Sequence, residues 1–127
     1  MAAIVIVSHS KKLAEGVADI CKMAAHSQIV YSVGGLEDGS FGTDYQRIES
    51  ILRTVDNSEG VIVFADLGSS VMTAEMAIEN IGSDTIKIAD CPMVEGAVMA
   101  AVLSSAGVDT DTIMKELDTV AQQKKLS

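Results

Sequence analysis

Near its start the chain sets a histidine between two serines at the end of an apolar run, Ala2-Ala3-Ile4-Val5-Ile6-Val7-Ser8-His9-Ser10. An imidazole with an ordinary pKa of about 6.5 is largely neutral near pH 7, so His9 can serve as a nucleophile or a general base. The plainer alternative is a strand-end histidine that hydrogen-bonds a loop. A second apolar run, Val61-Ile62-Val63-Phe64-Ala65, ends in the same way on Asp66, followed by Leu67-Gly68-Ser69-Ser70. A carboxylate accepting from Nδ1 of a histidine holds the ring in the tautomer whose Nε2 is a free nucleophile. It also stabilises the cation formed when that nitrogen is substituted. Three segments rich in glycine and hydroxyls, Ser10, Gly42-Thr43 and Gly68-Ser69-Ser70, stand where helices are expected to begin. Backbone N–H groups and the helix dipole at such points suit an anion such as phosphate. Each segment alone could be an ordinary cap; three of them around one histidine exceed what capping requires.

The elements that must position these residues alternate along the chain. The β-branched residues Ile4 to Val7 read as a strand buried on both faces, and Lys11 to Ala25 as a helix with Leu13, Val17, Ile20, Cys21 and Ala24 at helical spacing. Ser10 is available as its N-cap. Gln28 to Val33 reads as strand two, Gly34 to Gly42 as a loop, and Thr43-Asp44-Tyr45-Gln46 as a capping box opening a helix that turns Ile48, Ile51, Leu52 and Val55 inward. Strand three covers Val61 to Ala65. A third helix follows with Val71, Ala74, Ile78 and Ile81 among its buried candidates, and then a short strand from Thr85 to Ala89. Pro92 suits the start of an Ala-rich helix ending near Gly107, and Asp109 suits the cap of a fifth helix carrying Ile113, Met114, Leu117 and Val120. The expected fold is a single α/β domain over residues 1–127, an open, mainly parallel four-stranded sheet with helices on both faces. Right-handed crossovers favour strand order 2-1-3-4. The switch point then falls between strands one and three, where ligands bind in such sheets, and the two strands there end in His9 and Asp66.

Composition narrows the function further. The net charge of −9 and pI near 4.4 argue against nucleic acid, because binding its phosphate backbone needs clustered Lys and Arg. No apolar stretch approaches the roughly 20 residues that span a bilayer, and no basic, apolar and small-residue succession marks a secretion signal. A cytoplasmic protein is expected. Cys21 and Cys91 form no C-x-x-C pair and no metal-ligand spacing with histidine, so both are expected to be buried thiols, with no metal site. Neither G-x-x-x-x-G-K-[ST], nor G-x-G-x-x-G after a strand, nor G-x-S-x-G occurs, which leaves a nucleotide-binding kinase, a dehydrogenase and a serine hydrolase unsupported. His26, at the end of helix one, reads as a surface or capping residue. The seven methionines read as core filling, with a partner or dimer surface as the alternative.

Several stretches together carry a family resemblance: Ile4 to Ser10 with Leu13-Ala14-Glu15-Gly16; Gly42-Thr43; Val63 to Ser70 with Thr73-Ala74-Glu75-Met76-Ala77; and Pro92-Met93-Val94-Glu95-Gly96-Ala97. Over nearly its whole length the chain resembles the phosphotransferase subunits of phosphoenolpyruvate-dependent dihydroxyacetone kinases, within the mannose-class enzyme IIA fold. It departs from the sugar-transporting members, which typically read Thr-His-Gly at the histidine and have a Trp-Gly-Gly-Ser-Pro type turn after the aspartate; this chain has no tryptophan. The resemblance implies that His9 accepts a phosphoryl group on Nε2 from the phosphocarrier HPr. It further implies that His9 passes this group to ADP held by the nucleotide-binding kinase subunit, where the resulting ATP serves the dihydroxyacetone-binding subunit. Asp66 would support the imidazole, and Ser10, Thr43, Gly68, Ser69 and Ser70 would contact phosphate. The chain itself would bind no cofactor, since ADP and ATP stay on the partner. Some relatives continue into phosphocarrier-like and enzyme I-like domains, so this chain is expected to use separate upstream proteins. Members of the family are commonly homodimers. A sugar-transport enzyme IIA and a non-catalytic regulatory domain of the same fold are the alternatives.

Overall fold

The structure, a computed structural model, describes residues 1–126. Four parallel strands, β1 (Ala3–Ser8), β2 (Val30–Gly34), β3 (Val61–Ala65) and β4 (Ile86–Ile88), lie in the order β2-β1-β3-β4. Between and after them run α1 (Lys11–Ala24), α2 (Tyr45–Thr54), α3 (Gly68–Ile81), α4 (Met93–Ser105) and α5 (Thr110–Gln122). Every residue of β1 is buried, as a central strand covered on both faces requires. Ile4, Ile6, Ile62 and Phe64 face a core shared with α1, α4 and α5. Ala3, Val5, Val7, Val61 and Val63 face the opposite core, closed by Ile48 and Leu52 of α2 and Ala74 and Ala77 of α3. The expected strand order and two-sided helix cover are both present. No helix among the described residues is long and apolar enough to cross a membrane.

Several local expectations are corrected. In α1 the buried residues are Ala14, Val17, Ala18 and Cys21, whereas Leu13 and Ile20 are about two-fifths exposed and Ala24 is exposed too. The reason is steric. The backbone of Gly34 lies so close to α1 that a Cβ there would stand 2.6 Å from the Lys11 Cα and 2.9 Å from the Ala14 Cβ, so the helix turns a small residue, Ala14, to β2 at this contact. The cap of α2 is Asp44 rather than Thr43, its carboxylate accepting from the N–H groups of Gln46 and Arg47. Strand two begins at Val30, because the Gln28 side chain turns inward and its Nε2 donates to the Ala2 carbonyl at 2.6 Å. β4 is one residue shorter than expected at each end. Ser10 and Asp109 cap α1 and α5 as expected.

The methionines also depart from expectation. Met1, Met23, Met72 and Met76 are exposed, and Met93, Met99 and Met114 pack against the core only in part, since alanines occupy the tightest helix contacts. Of the two thiols, Cys21 is buried and Cys91, beyond the end of β4, is half-buried.

Candidate functional site

Parallel pairing of β1 with β3 sets Val7 opposite Ala65, so the residues that follow leave the sheet side by side. His9 and Asp66 are among them. Nδ1 of His9 lies 3.1 Å from Oδ1 of Asp66, and the backbone N–H of His9 donates to Oδ2 at 3.1 Å. Two further donors hold the carboxylate: the Ser8 hydroxyl on Oδ2 at 2.8 Å and the Leu67 N–H on Oδ1 at 2.8 Å. Burial by itself pushes the Asp66 carboxyl up. Hydrogen bonds from Ser70, Ser8 and His9 outweigh it and hold the group well below the usual carboxylate range. Asp66 is therefore an ionised acceptor, which assigns the proton of the neutral ring to Nδ1 and leaves Nε2 as the acceptor.

Nε2 faces the first turn of α3. The exposed Ser69 hydroxyl is 2.5 Å from it, and the fully buried Ser70 hydroxyl is 3.0 Å from Nδ1. The N-cap of α3 is Leu67, and no side chain caps that helix. The N–H groups that open α3, beginning at Gly68, thus lack the side-chain acceptor that Ser10 supplies to α1 and Asp44 to α2. None of α1, α2 and α3 has an acidic residue in its first turn, while α4 and α5 each have one. An anion beside His9 would meet the uncapped N-terminus of α3, whose dipole no first-turn acid offsets.

The other expected contacts are placed as follows. The Ser10 hydroxyl accepts from the Leu13 N–H at 3.2 Å as the cap of α1, which leaves its own proton able to donate outward. It is Gly42, next to Thr43, that touches the site, its N–H donating to the His9 carbonyl at 3.0 Å. Gly68 is the exposed first residue of α3, and a Cβ there would meet nothing within 4 Å. His26 is exposed beyond the end of α1, away from β1's carboxyl end.

Three features were not anticipated from the sequence. Ser8 is 1% exposed and bridges the start of α1 to Asp66, its oxygen accepting from the Ser10 N–H at 3.0 Å. Its place beside the histidine was the available signal. Gly34 and Gly35 press the β2–α2 loop onto the backbone around His9: Gly35 adopts φ +66°, and its N–H donates to the Ser8 carbonyl at 3.1 Å. Arg47 clamps that loop from α2, one guanidinium nitrogen donating to the carbonyls of Gly34 and Gly35 at 3.2 and 2.9 Å. No spacing in the sequence marks that clamp. The result is an open rim, with the His9 side chain 26% exposed.

The family model described as the fructose IIA component of the phosphotransferase system, EIIA-man, matches residues 3–114. A Listeria innocua protein, "PEP-dependent dihydroxyacetone kinase 2, phosphoryl donor subunit DhaM", is 38% identical over 94% of this chain and 99% of its own length. The phosphoryl donor subunit of Providencia stuartii is 30% identical over 98% of this chain, which spans only 28% of that longer protein. A crystal structure of a protein of unknown function superposes with a TM-score of 0.85 at 32% identity, covering 97% of this chain and 96% of the other. With that family matched across most of its length, and a relative this similar aligned nearly end to end, the chain belongs to the EIIA-man family of phosphotransferase-system IIA components.

Proposed function

We propose that this chain is the phosphoryl donor subunit of a phosphoenolpyruvate-dependent dihydroxyacetone kinase, working through a phosphohistidine at His9. The observation that carries this reading is the division of the His9 ring: Nδ1 is turned to an ionised carboxylate, and Nε2 is turned outward to the first turn of α3. The name and end-to-end match of the Listeria innocua relative support the choice of kinase.

The chemistry follows from that division. In loading, the Nε2 lone pair of His9 attacks phosphorus on the phosphohistidine of HPr. The donor's P–N bond breaks, and its electron pair leaves with the donor imidazole. His9 becomes an N-phosphorylated imidazolium whose Nδ1 proton points at Asp66, so the new positive charge lies against a negative one. In delivery, an oxygen of the β-phosphate of ADP held by the nucleotide-binding subunit attacks the phosphorus on His9, the Nε2–P bond breaks, and the pair returns to Nε2. Such transfer needs in-line placement and donors around the equatorial oxygens more than it needs covalent help. The Ser69 hydroxyl stands on Nε2 in the unloaded protein, so it must rotate aside before phosphorus arrives and can then donate to a phosphoryl oxygen. Ser10, Thr43 and the N–H groups of Gly68, Ser69 and Ser70 are the other proposed contacts.

The proposed setting is the cytoplasm, with HPr and the two kinase subunits as partners. For the homodimer, the stripe Val94, Val98 and Val102 on α4 offers an apolar face. The test is reconstitution with phosphoenolpyruvate, enzyme I and HPr. An acid-labile, base-stable phosphoryl adduct on His9, followed by ATP formation on an ADP-loaded acceptor subunit, is the expected result. No adduct leaves a regulatory domain; an adduct delivered only to a sugar enzyme IIB assigns the chain to sugar transport.

A further inference from the structure

Ser8 has a hydroxyl with two fixed bonds and almost no exposure, and the transfer mechanism above does not use it. It donates to Oδ2 of Asp66 at 2.8 Å and accepts from the Ser10 N–H at 3.0 Å. The orientation of Asp66 does not depend on it alone, because the His9 N–H holds Oδ2 and the Leu67 N–H holds Oδ1. What Ser8 adds is a further donor to a carboxylate that already faces Nδ1. We propose that Ser8 is a positioning residue that shares the charge of Asp66 among donors, so that the Nδ1 proton stays on His9 and phosphorylated His9 remains a ready donor.

The argument concerns the leaving group and rests on the reading of His9 as the phosphoryl carrier. When the phosphoryl group departs to a nucleoside diphosphate, the Nε2–P electron pair returns to the ring. With the proton on Nδ1 the ring leaves as neutral imidazole; with the proton drawn onto Asp66 it would leave as an imidazolate, a far more basic and therefore poorer leaving group. A strongly basic carboxylate would also stabilise the phosphorylated imidazolium so well that loading is favoured and delivery suffers. Each hydrogen bond donated to Asp66 from elsewhere weakens its pull on the Nδ1 proton. Ser8 thereby lowers the stability of the loaded state and favours onward transfer. A carrier that must receive and release the same group needs that compromise.

The experiment compares wild type with Ser8→Ala, using purified phosphorylated HPr as donor and the ADP-loaded subunit as acceptor. The loading equilibrium is read from the fraction of His9 phosphorylated against HPr phosphorylated. In Ser8→Ala it is expected to shift toward phosphorylated His9 by about three- to tenfold, the effect of one charge-assisted hydrogen bond lost to Asp66, while delivery slows by a similar factor. The Nδ1 proton resonance should move downfield in the same variant, reporting a stronger bond to Asp66. If Ser8→Ala loses its fold by circular dichroism, Ser8→Cys, a weaker donor, is expected to shift the equilibrium in the same direction. An unchanged or reduced loading equilibrium, or loading and delivery slowed together with an unmoved resonance, overturns the role of Ser8. Wild-type protein that takes no label at His9 overturns instead the carrier reading itself, so the two failures are distinct.

Discussion

Asp66 grips His9 twice, once at the ring through Nδ1 and once at the main chain through the His9 N–H, so one carboxylate sets both the tautomer and the place of the imidazole. Asp66→Asn keeps the shape and removes the charge. Phosphoryl uptake is expected to fall by about 10² to 10⁴-fold with the fold retained, the range seen when a catalytic imidazole loses its acidic partner. A quench-flow assay of labelling checks this, and wild-type rates would assign Asp66 a purely structural role.

The same group makes a prediction about acid stability. Because the folded Asp66 carboxyl titrates below its unfolded value, the stability it contributes is complete above a pH of about 4 and is lost as pH falls through the folded value. The stability gap between wild type and Asp66→Asn, from urea unfolding at a series of pH values, should therefore narrow below about pH 4. A constant gap would mean that the unfolded chain depresses the carboxyl equally.

His9→Gln and His9→Ala should fold normally and take up no phosphoryl group, while His26→Gln should label like wild type, since His26 is exposed and lies away from the His9–Asp66 pair. Mapping the labelled peptide decides between the two histidines.

Ser70→Ala, which removes a buried hydroxyl 3.0 Å from Nδ1, is expected to slow transfer in both directions through the ring; around the rim, Thr43→Val and Ser69→Ala are each expected to slow it by about ten- to a hundredfold without abolishing it. That is a smaller loss than for a buried oxyanion donor, because water reaches this site. Ser69→Ala carries a second signature: with the hydroxyl gone from Nε2, alkylation of unphosphorylated His9 should become faster.

The glycines separate by geometry. Gly34→Ala would set a Cβ 2.5 Å from the Ser10 carbonyl oxygen and is expected to destabilise by about 1–3 kcal/mol or more in urea unfolding, since backbone must move. At Gly68 the protein leaves open space, so Gly68→Ala should fold at least as well as wild type. Larger side chains at 68 are expected to slow transfer only by obstructing the phosphoryl group.

Most of what positions the site was legible because it depends on patterns that sequence carries directly. The β-branched run before His9, the matching run before Asp66 and the crossover rule together require the two residues to leave neighbouring strands. What was not legible depends on distances between elements. Leu13 and Ile20 fit a helical stripe as well as Ala14 and Ala18 do, and the close approach of Gly34 favours Ala14 at its contact. Thr43 and Asp44 are both good caps one residue apart, and the turn geometry chose Asp44. The role of Ser8 went unread because hydrogen bonds to a residue 58 positions away leave no local trace.

The main chain of His9 is held from both sides, its N–H by Asp66 and its carbonyl by the Gly42 N–H, with the Gly34-Gly35 loop pressed against the same stretch. Little of the ordering needed for transfer is left for a visitor to impose. If His9 carries a phosphoryl group between two proteins, as proposed, each meets the same main-chain target. On that reading, the two partners would have to approach one shared docking geometry, set by the backbone that Asp66 and Gly42 hold.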